Sequence, residues 1–235
     1  MPLEMRGKVA LVLLASRAAG DMSPPDPVMP EKVDIPRKTV YRLSIYQRCL
    51  QRLKENGIET VSSDALSRAA GVKSPQLRKD LAYFGNFGTR GLGYNVEMLS
   101  GRINQVLGTT RLQPVILIGV GNLGAALLHY GGFNKEGFEI TAAFDQDPQR
   151  ARSVQTTVPI HGMSELDGFI SAQSVKMAIL AVPAVGAQQV VNQLTAAGIQ
   201  AILNFAPVVL EVPEAVVVNN VDLAVELENL SYFIR

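Results

Sequence analysis

Cysteine and histidine are almost missing from this 235-residue chain, which has one Cys, Cys49, and two His, His129 and His161. A single thiol excludes an internal disulfide and fits a reducing compartment, so the chain reads as cytoplasmic. So few ligands, at no metal-binding spacing, leave no metal site to expect. No apolar run is long enough to span a bilayer, and no membrane role is read. Cys49 reads as packing in a first helix, with Arg48 beside it able to make the thiol somewhat reactive. Net charge is also nearly absent, at +1.

That neutrality conceals a segregation. Residues 36–94 hold 11 Lys+Arg against 4 Asp+Glu, residues 95–235 hold 7 against 12, and residues 1–35 hold 4 against 5. A basic segment beside an acidic one assigns phosphate contacts to the first. With 47% hydrophobic residues, the chain can build two modest domains with proper cores. Residues 1–35 read as a disordered N-terminal extension, with Pro24, Pro25, Pro27 and Pro30 as linker residues. Arg6, Lys8 and the apolar run 9–15 imitate a signal peptide at its minimum length. Translation from Met29 is the simpler reading.

The basic segment, 36–110, has helix-turn-helix grammar. A long helix over 38–56 carries apolar Val40, Leu43, Tyr46, Leu50 and Leu53 and closes at Asn56-Gly57. A short capped helix over 62–71 ends in Gly71, and a turn through Val72 and Lys73 leads to a second helix. Ser74 is expected as its N-cap, Pro75 as its first residue and Phe84 as its end before Gly85. Leu77, Leu81 and Phe84 form its buried stripe, which turns Lys73, Ser74, Gln76, Arg78, Lys79 and Tyr83 towards a duplex. Gly85, Gly88, Gly91 and Gly93 then frame Arg90 in a basic wing able to reach a DNA backbone or minor groove.

The acidic segment, 111–213, reads as α/β. The apolar run 115–118 leads into Gly119-Val120-Gly121-Asn122-Leu123-Gly124, a G-x-G-x-x-G that opens a helix running to Tyr130. Its glycines permit a tight turn, a close approach to a pyrophosphate and close helix packing. Asp145 follows 21 residues beyond Gly124, after the apolar run 140–144. A carboxylate there bonds ribose hydroxyls and repels a 2′-phosphate, which favours NADH and NAD+ over the phosphorylated forms. Strands over 176–182 and 201–204 flank a helix over 185–197, placing Pro183 and Asn204 at strand ends where ligands bind; for Pro183 and Pro207 the bare role of ending strands fits equally well. Leu223, Leu227, Leu230 and Phe233 or Ile234 give a C-terminal piece, 214–235, one apolar helical face. That face docks either on its own domain or on a second subunit, and periodicity leaves the choice open.

These stretches together resemble the Rex family, the redox-sensing transcriptional repressors of bacteria. The resemblance runs from about Lys38 to the C-terminus and rests on residues 78–85, 88–94, 119–124, Phe144-Asp145 and 202–210. It implies a homodimer whose winged helices bind a palindromic DNA operator, with a Rossmann domain for NADH or NAD+ and a C-terminal helix swapped between subunits. NADH is implied to release the operator through a contact joining Arg48, Tyr130 and Asp222. Leu223 is a departure, since a member of the family has an aromatic residue at that position.

The alternatives are an NAD-dependent dehydrogenase with a helical accessory domain, and a CoA-binding domain. A dehydrogenase needs a general acid near the nicotinamide. His129, on the phosphate helix, and His161, read in a loop, are both away from strand ends, so no enzyme is expected. Asp145 argues against CoA.

Overall fold

The computed structural model describes residues 35–85, 87–89 and 92–234. The N-terminal extension lies outside them, as do Asn86, Arg90, Gly91 and Arg235.

The basic half is a helical cluster closed by a small sheet. Helix α1 (Arg37–Glu55) ends on Asn56 and Gly57, the latter at φ +69°, as the Asn-Gly pair predicts. Strand β1 (Thr60–Val61) precedes α2 (Ser63–Ala69), whose cap Ser62 accepts the Ala65 N–H at 3.1 Å. Gly71, at φ +68°, makes the turn into α3 (Ser74–Ala82). Two further strands, β2 (Gly88–Thr89) and β3 (Gly93–Asn95), complete an antiparallel sheet of order β1-β3-β2. Helix α4 (Val96–Leu107) follows and packs along α1. Leu43, Tyr46, Leu50, Leu66, Leu77 and Leu99 form the fully buried centre.

Three expectations shift here. The N-cap of α3 is Lys73, with no side-chain cap bond, because Ser74 is already helical and its hydroxyl accepts from Arg78 at 2.8 Å. Val40, expected in the core, is exposed. Cys49 is buried, and burial pushes its thiol pKa up, with Arg52 opposing; the expected activation by Arg48 is not the geometry found.

The acidic half is a six-stranded parallel sheet, ordered β6-β5-β4-β7-β8-β9. Its elements alternate: β4 (Gln113–Ile118), α5 (Asn122–Leu128), α6 (Gly132–Lys135), β5 (Phe138–Asp145), α7 (Pro148–Ala151), β6 (Ile160–Gly162), α8 (Leu166–Gln173), β7 (Met177–Leu180), α9 (Ala184–Ala196), β8 (Ala201–Asn204) and β9 (Val217–Asn220). In chain order this runs 3-2-1-4-5-6, the dinucleotide-binding arrangement, with the topological switch point between β4 and β7. Helices α8 and α9 bury Leu166, Ile170, Val191 and Leu194 on one face of the sheet.

Strand β9 was unforeseen. It pairs with β8 from Ala201↔Val217 to Asn204↔Asn220, so the sheet takes in residues read as part of the C-terminal helical piece. His161, expected in a loop, is a β6 residue stacked on Phe144 and bonded to Glu165 at 3.0 Å. The last helix, α10 (Leu223–Tyr232), buries nothing within its own chain.

Candidate nucleic-acid interface and dinucleotide site

On the nucleic-acid side, α2 and α3 present an exposed Lys73, Arg78 and Lys79, with Ser74 and Gln76 half-buried and Tyr83 at the helix end. Arg78 is tied to Ser74 in the free protein. The tip of the expected wing, Arg90 and Gly91, lies outside the described residues, while β2 and β3 on either side of it are formed.

Beneath α3 lies a network absent from the expectation. Asp80 is 1% exposed and is bound by both Nε and Nη2 of Arg42, at 2.6 and 2.7 Å, and by Tyr46 Oη at 2.8 Å. Gln76 Nε2 donates to the same carboxylate at 2.9 Å. Burial pushes the Asp80 carboxyl up, but the bonds from Arg42, Tyr46 and Gln76 outweigh it and hold the pKa below the usual range. Burial and the same bond push the Tyr46 hydroxyl above its usual value. The signal was legible: an Asp falls among Leu77, Leu81 and Phe84 on an apolar stripe, which demands a buried cation.

The dinucleotide side is built at the end of β4. Gly119 makes its turn at φ +91°, where a Cβ would come 2.5 Å from the Ala181 carbonyl oxygen. A Cβ on Gly124 would stand 1.9 Å from the Gly119 carbonyl oxygen, so the turn and α5 touch backbone to backbone. Gly121 is the α5 N-cap, with no side-chain cap, and Val120, Asn122 and Leu123 carry the chain through the turn. Asp145, ending β5, accepts Val120 N–H at 2.7 Å and Asp147 N–H at 2.9 Å, one on each oxygen. Each oxygen keeps a lone pair for a ribose hydroxyl. Pro183 is the exposed N-cap of α9 beside this turn. The cradle, the oriented carboxylate and the switch point together fit an adenine dinucleotide.

Asn204 is placed differently. It is 1% exposed and its amide donates to Ala206 O, Val208 O and Asn220 Oδ1, while its own oxygen accepts Ala206 N–H. Those bonds hold the chain after β8 and link β8 to β9.

The three residues implied as a switch are only partly together. Helix α5 ends at Leu128, so Tyr130 stands past it, 60% exposed and edge-on to Phe133 with ring centroids 5.0 Å apart. Arg48 and Tyr130 line one cavity of about 340 Å³, floored by Val115, Ile179 and Leu203 of the sheet. Arg48 pairs there with Glu136 at 3.6 Å, a residue the sequence reading missed. Asp222 caps α10 instead, accepting Ala224 N–H at 2.9 Å and Val225 N–H at 3.3 Å.

Among the described residues, no helix is long and apolar enough to cross a membrane, and no group of three His, Cys, Asp or Glu could hold a metal.

Comparison with known proteins covers both halves. Residues 34–82 match a family model described as a putative DNA-binding protein N-terminus, and residues 110–208 one described as a CoA binding domain. The chain is 48% identical over 198 residues to the redox-sensing transcriptional repressor Rex of Streptomyces coelicolor, covering 84% of this chain and 77% of that protein. It is 47% identical to the protein of that name from Pelotomaculum thermopropionicum, covering 84% and 93%. Among solved structures it is similar to RSP in complex with beta-NAD+ and operator DNA, with TM-score 0.79, 36% identity and 86% and 94% of the two chains covered. RSP in complex with beta-NADH matches at TM-score 0.76 and 35% identity, covering 86% and 95%.

Proposed function

The chain belongs to the Rex family of redox-sensing transcriptional repressors, and from that premise we propose how its own residues perform the task. It is a DNA-binding repressor and not an enzyme; it binds NADH and NAD+, and it acts as a homodimer on operator DNA. We place it in the cytoplasm, where its operator and its dinucleotides are. The observation that carries the reading is the joining of a helix-turn-helix with an exposed basic face to a parallel sheet with a dinucleotide cradle.

Lys73, Ser74, Gln76, Arg78, Lys79, Tyr83, Arg90 and Gly91 form the DNA surface, with the cations on phosphates and α3 in the major groove. Gly119 through Gly124 hold the pyrophosphate, Asp145 the adenosine ribose, and Pro183 borders the crevice. The bound dinucleotide supplies a redox-dependent charge and shape at the nicotinamide. Asn204 supports this crevice from behind through its backbone bonds. CoA is a poorer fit, because Asp145 is oriented to accept ribose hydroxyls and would repel a phosphate on that ribose.

Dimerisation explains two unpaired surfaces. Leu223, Leu227 and Leu230 are 65%, 67% and 63% exposed on α10, and the sheet face under Arg48 and Tyr130 is an open apolar cavity. Exchange of α10 between subunits covers both and brings Asp222 of the partner subunit towards Arg48. In the DNA-binding form Arg48 then pairs with that carboxylate, with Tyr130 hydrogen-bonded to the pair. A different Tyr130 placement in the NADH-bound form breaks this network, and rotation of each half spoils the roughly 34 Å spacing of two α3 helices on one duplex face.

Two variants test these assignments. Asp145→Ala removes two charge-assisted hydrogen bonds and one repulsion, so NADH binding should weaken about tenfold or more and its preference over NADPH should narrow. Equal affinity of the parent for NADH and NADPH, measured by fluorescence titration, would overturn the Asp145 role. Tyr130→Phe keeps the ring and loses the hydroxyl, so NADH should still bind but release operator less completely. An unchanged ratio of operator affinities with NADH and NAD+ makes Tyr130 structural.

A further inference from the structure

The Asp80 carboxylate has every hydrogen-bonding direction filled. Oδ1 accepts from Arg42 Nη2 at 2.7 Å, Gln76 Nε2 at 2.9 Å and Thr39 Oγ1 at 3.4 Å. Oδ2 accepts from Arg42 Nε at 2.6 Å and Tyr46 Oη at 2.8 Å. An ionised carboxylate only accepts, so the end of Gln76 that faces it is the NH2 group. The usual ambiguity in orienting an amide is thereby removed. Gln76 sits in the first turn of α3, the part of a second helix that meets base edges, between exposed Pro75 and Lys79. Its Oε1 has no hydrogen-bond partner among the described residues.

We propose that Asp80 locks the polarity of the Gln76 amide, so that Gln76 reads an adenine in the major groove and rejects guanine there. The inference rests on the operator-binding reading above. One Nε2 hydrogen is spent on Asp80, which leaves Oε1 as an acceptor and the second hydrogen as a donor. Adenine offers the complement, the N6 donor beside the N7 acceptor. Guanine offers O6 and N7, two acceptors, so Oε1 would face an oxygen. A free glutamine could turn its NH2 towards guanine. Here that rotation would replace a donor to a buried carboxylate with an oxygen, which the neighbouring charge repels. Asp80 is a positioning residue and does not itself touch DNA.

The test is selection from a random duplex library with the full chain, comparing parent, Gln76→Lys and Asp80→Asn. The parent should enrich a palindrome with an A·T pair at the position read by residue 76. In Gln76→Lys that one pair should change to G·C, because an ammonium only donates, and the other positions should stay. In Asp80→Asn the preference for adenine over guanine at that pair should fall from roughly tenfold towards parity. A role confined to supporting α3 would instead weaken all duplexes alike and leave the preference intact. One consensus shared by all three proteins overturns the polarity lock and leaves the operator reading standing. A parent that enriches no sequence overturns the operator reading, and the lock with it.

Discussion

Gly124→Ala should weaken NADH binding by about a hundredfold, close to 3 kcal/mol, while the basic half still folds and still binds duplex. The added Cβ would stand 1.9 Å from the Gly119 carbonyl oxygen, a backbone atom with no rotamer to change. Alanine favours a helix over glycine by about 1 kcal/mol. Overpacking against a rigid partner costs about 1–3 kcal/mol or more, so the clash wins. Relief requires α5 to move off the turn, and that movement opens the cradle meant for the pyrophosphate. Such a repressor should remain on its operator at NADH concentrations that release the parent. Parent-like NADH affinity in the variant would mean that the turn is not where the dinucleotide binds.

Asp80→Asn should cost the DNA-binding half about 3 kcal/mol, because removing one member of a buried ion pair leaves the other uncompensated. Arg42 and Tyr46 both depend on that carboxylate, and Arg42, at 22% exposed, has little water to turn to. The sign of the pH dependence follows from the lowered pKa of Asp80. A carboxyl with a depressed folded-state pKa contributes its full stability above the unfolded value of about 3.9 and loses it as pH falls through the folded value. The parent should therefore lose stability on acidification below about pH 4, and the difference between parent and variant should shrink over that range. A constant difference between pH 7 and pH 3 in chemical denaturation would show that the charge on Asp80 is not what stabilises the fold.

Local signals carried far in this chain because its two halves announce themselves through backbone requirements. Gly119 is demanded by the positive φ of its turn, Gly124 by its contact with the Gly119 carbonyl, and Asp145 by its place at the end of β5, so motif and spacing located them. Helix α3 was legible from Pro75 and the Leu77/Leu81 pair, though Ser74 is inside the helix and not its cap. What was missed depends on partners distant in sequence. Strand β9 is a four-residue edge element whose Asn219-Asn220 reads locally as a turn, and only its pairing with β8 makes it a strand. Asn204 reads locally as a ligand contact because it ends a strand, and only the pairing of β8 with β9 reveals its amide bond to Asn220, made beside those to residues 206 and 208. Asp80 was visible as a polar residue on an apolar stripe, but its meaning came from Arg42 and Tyr46, more than thirty residues away. Glu136 gave no signal at all, since a surface Glu beside Arg48 follows from how the two halves meet.

The most direct test of the central claim is the affinity of the full chain for its selected operator duplex, measured at fixed salt with saturating NADH and again with saturating NAD+. A two-state coupling of ordinary size, about 1–3 kcal/mol, predicts binding several-fold to about a hundredfold weaker with NADH. Equal operator affinity in the two conditions, with both dinucleotides shown to be bound, would contradict redox sensing by this protein.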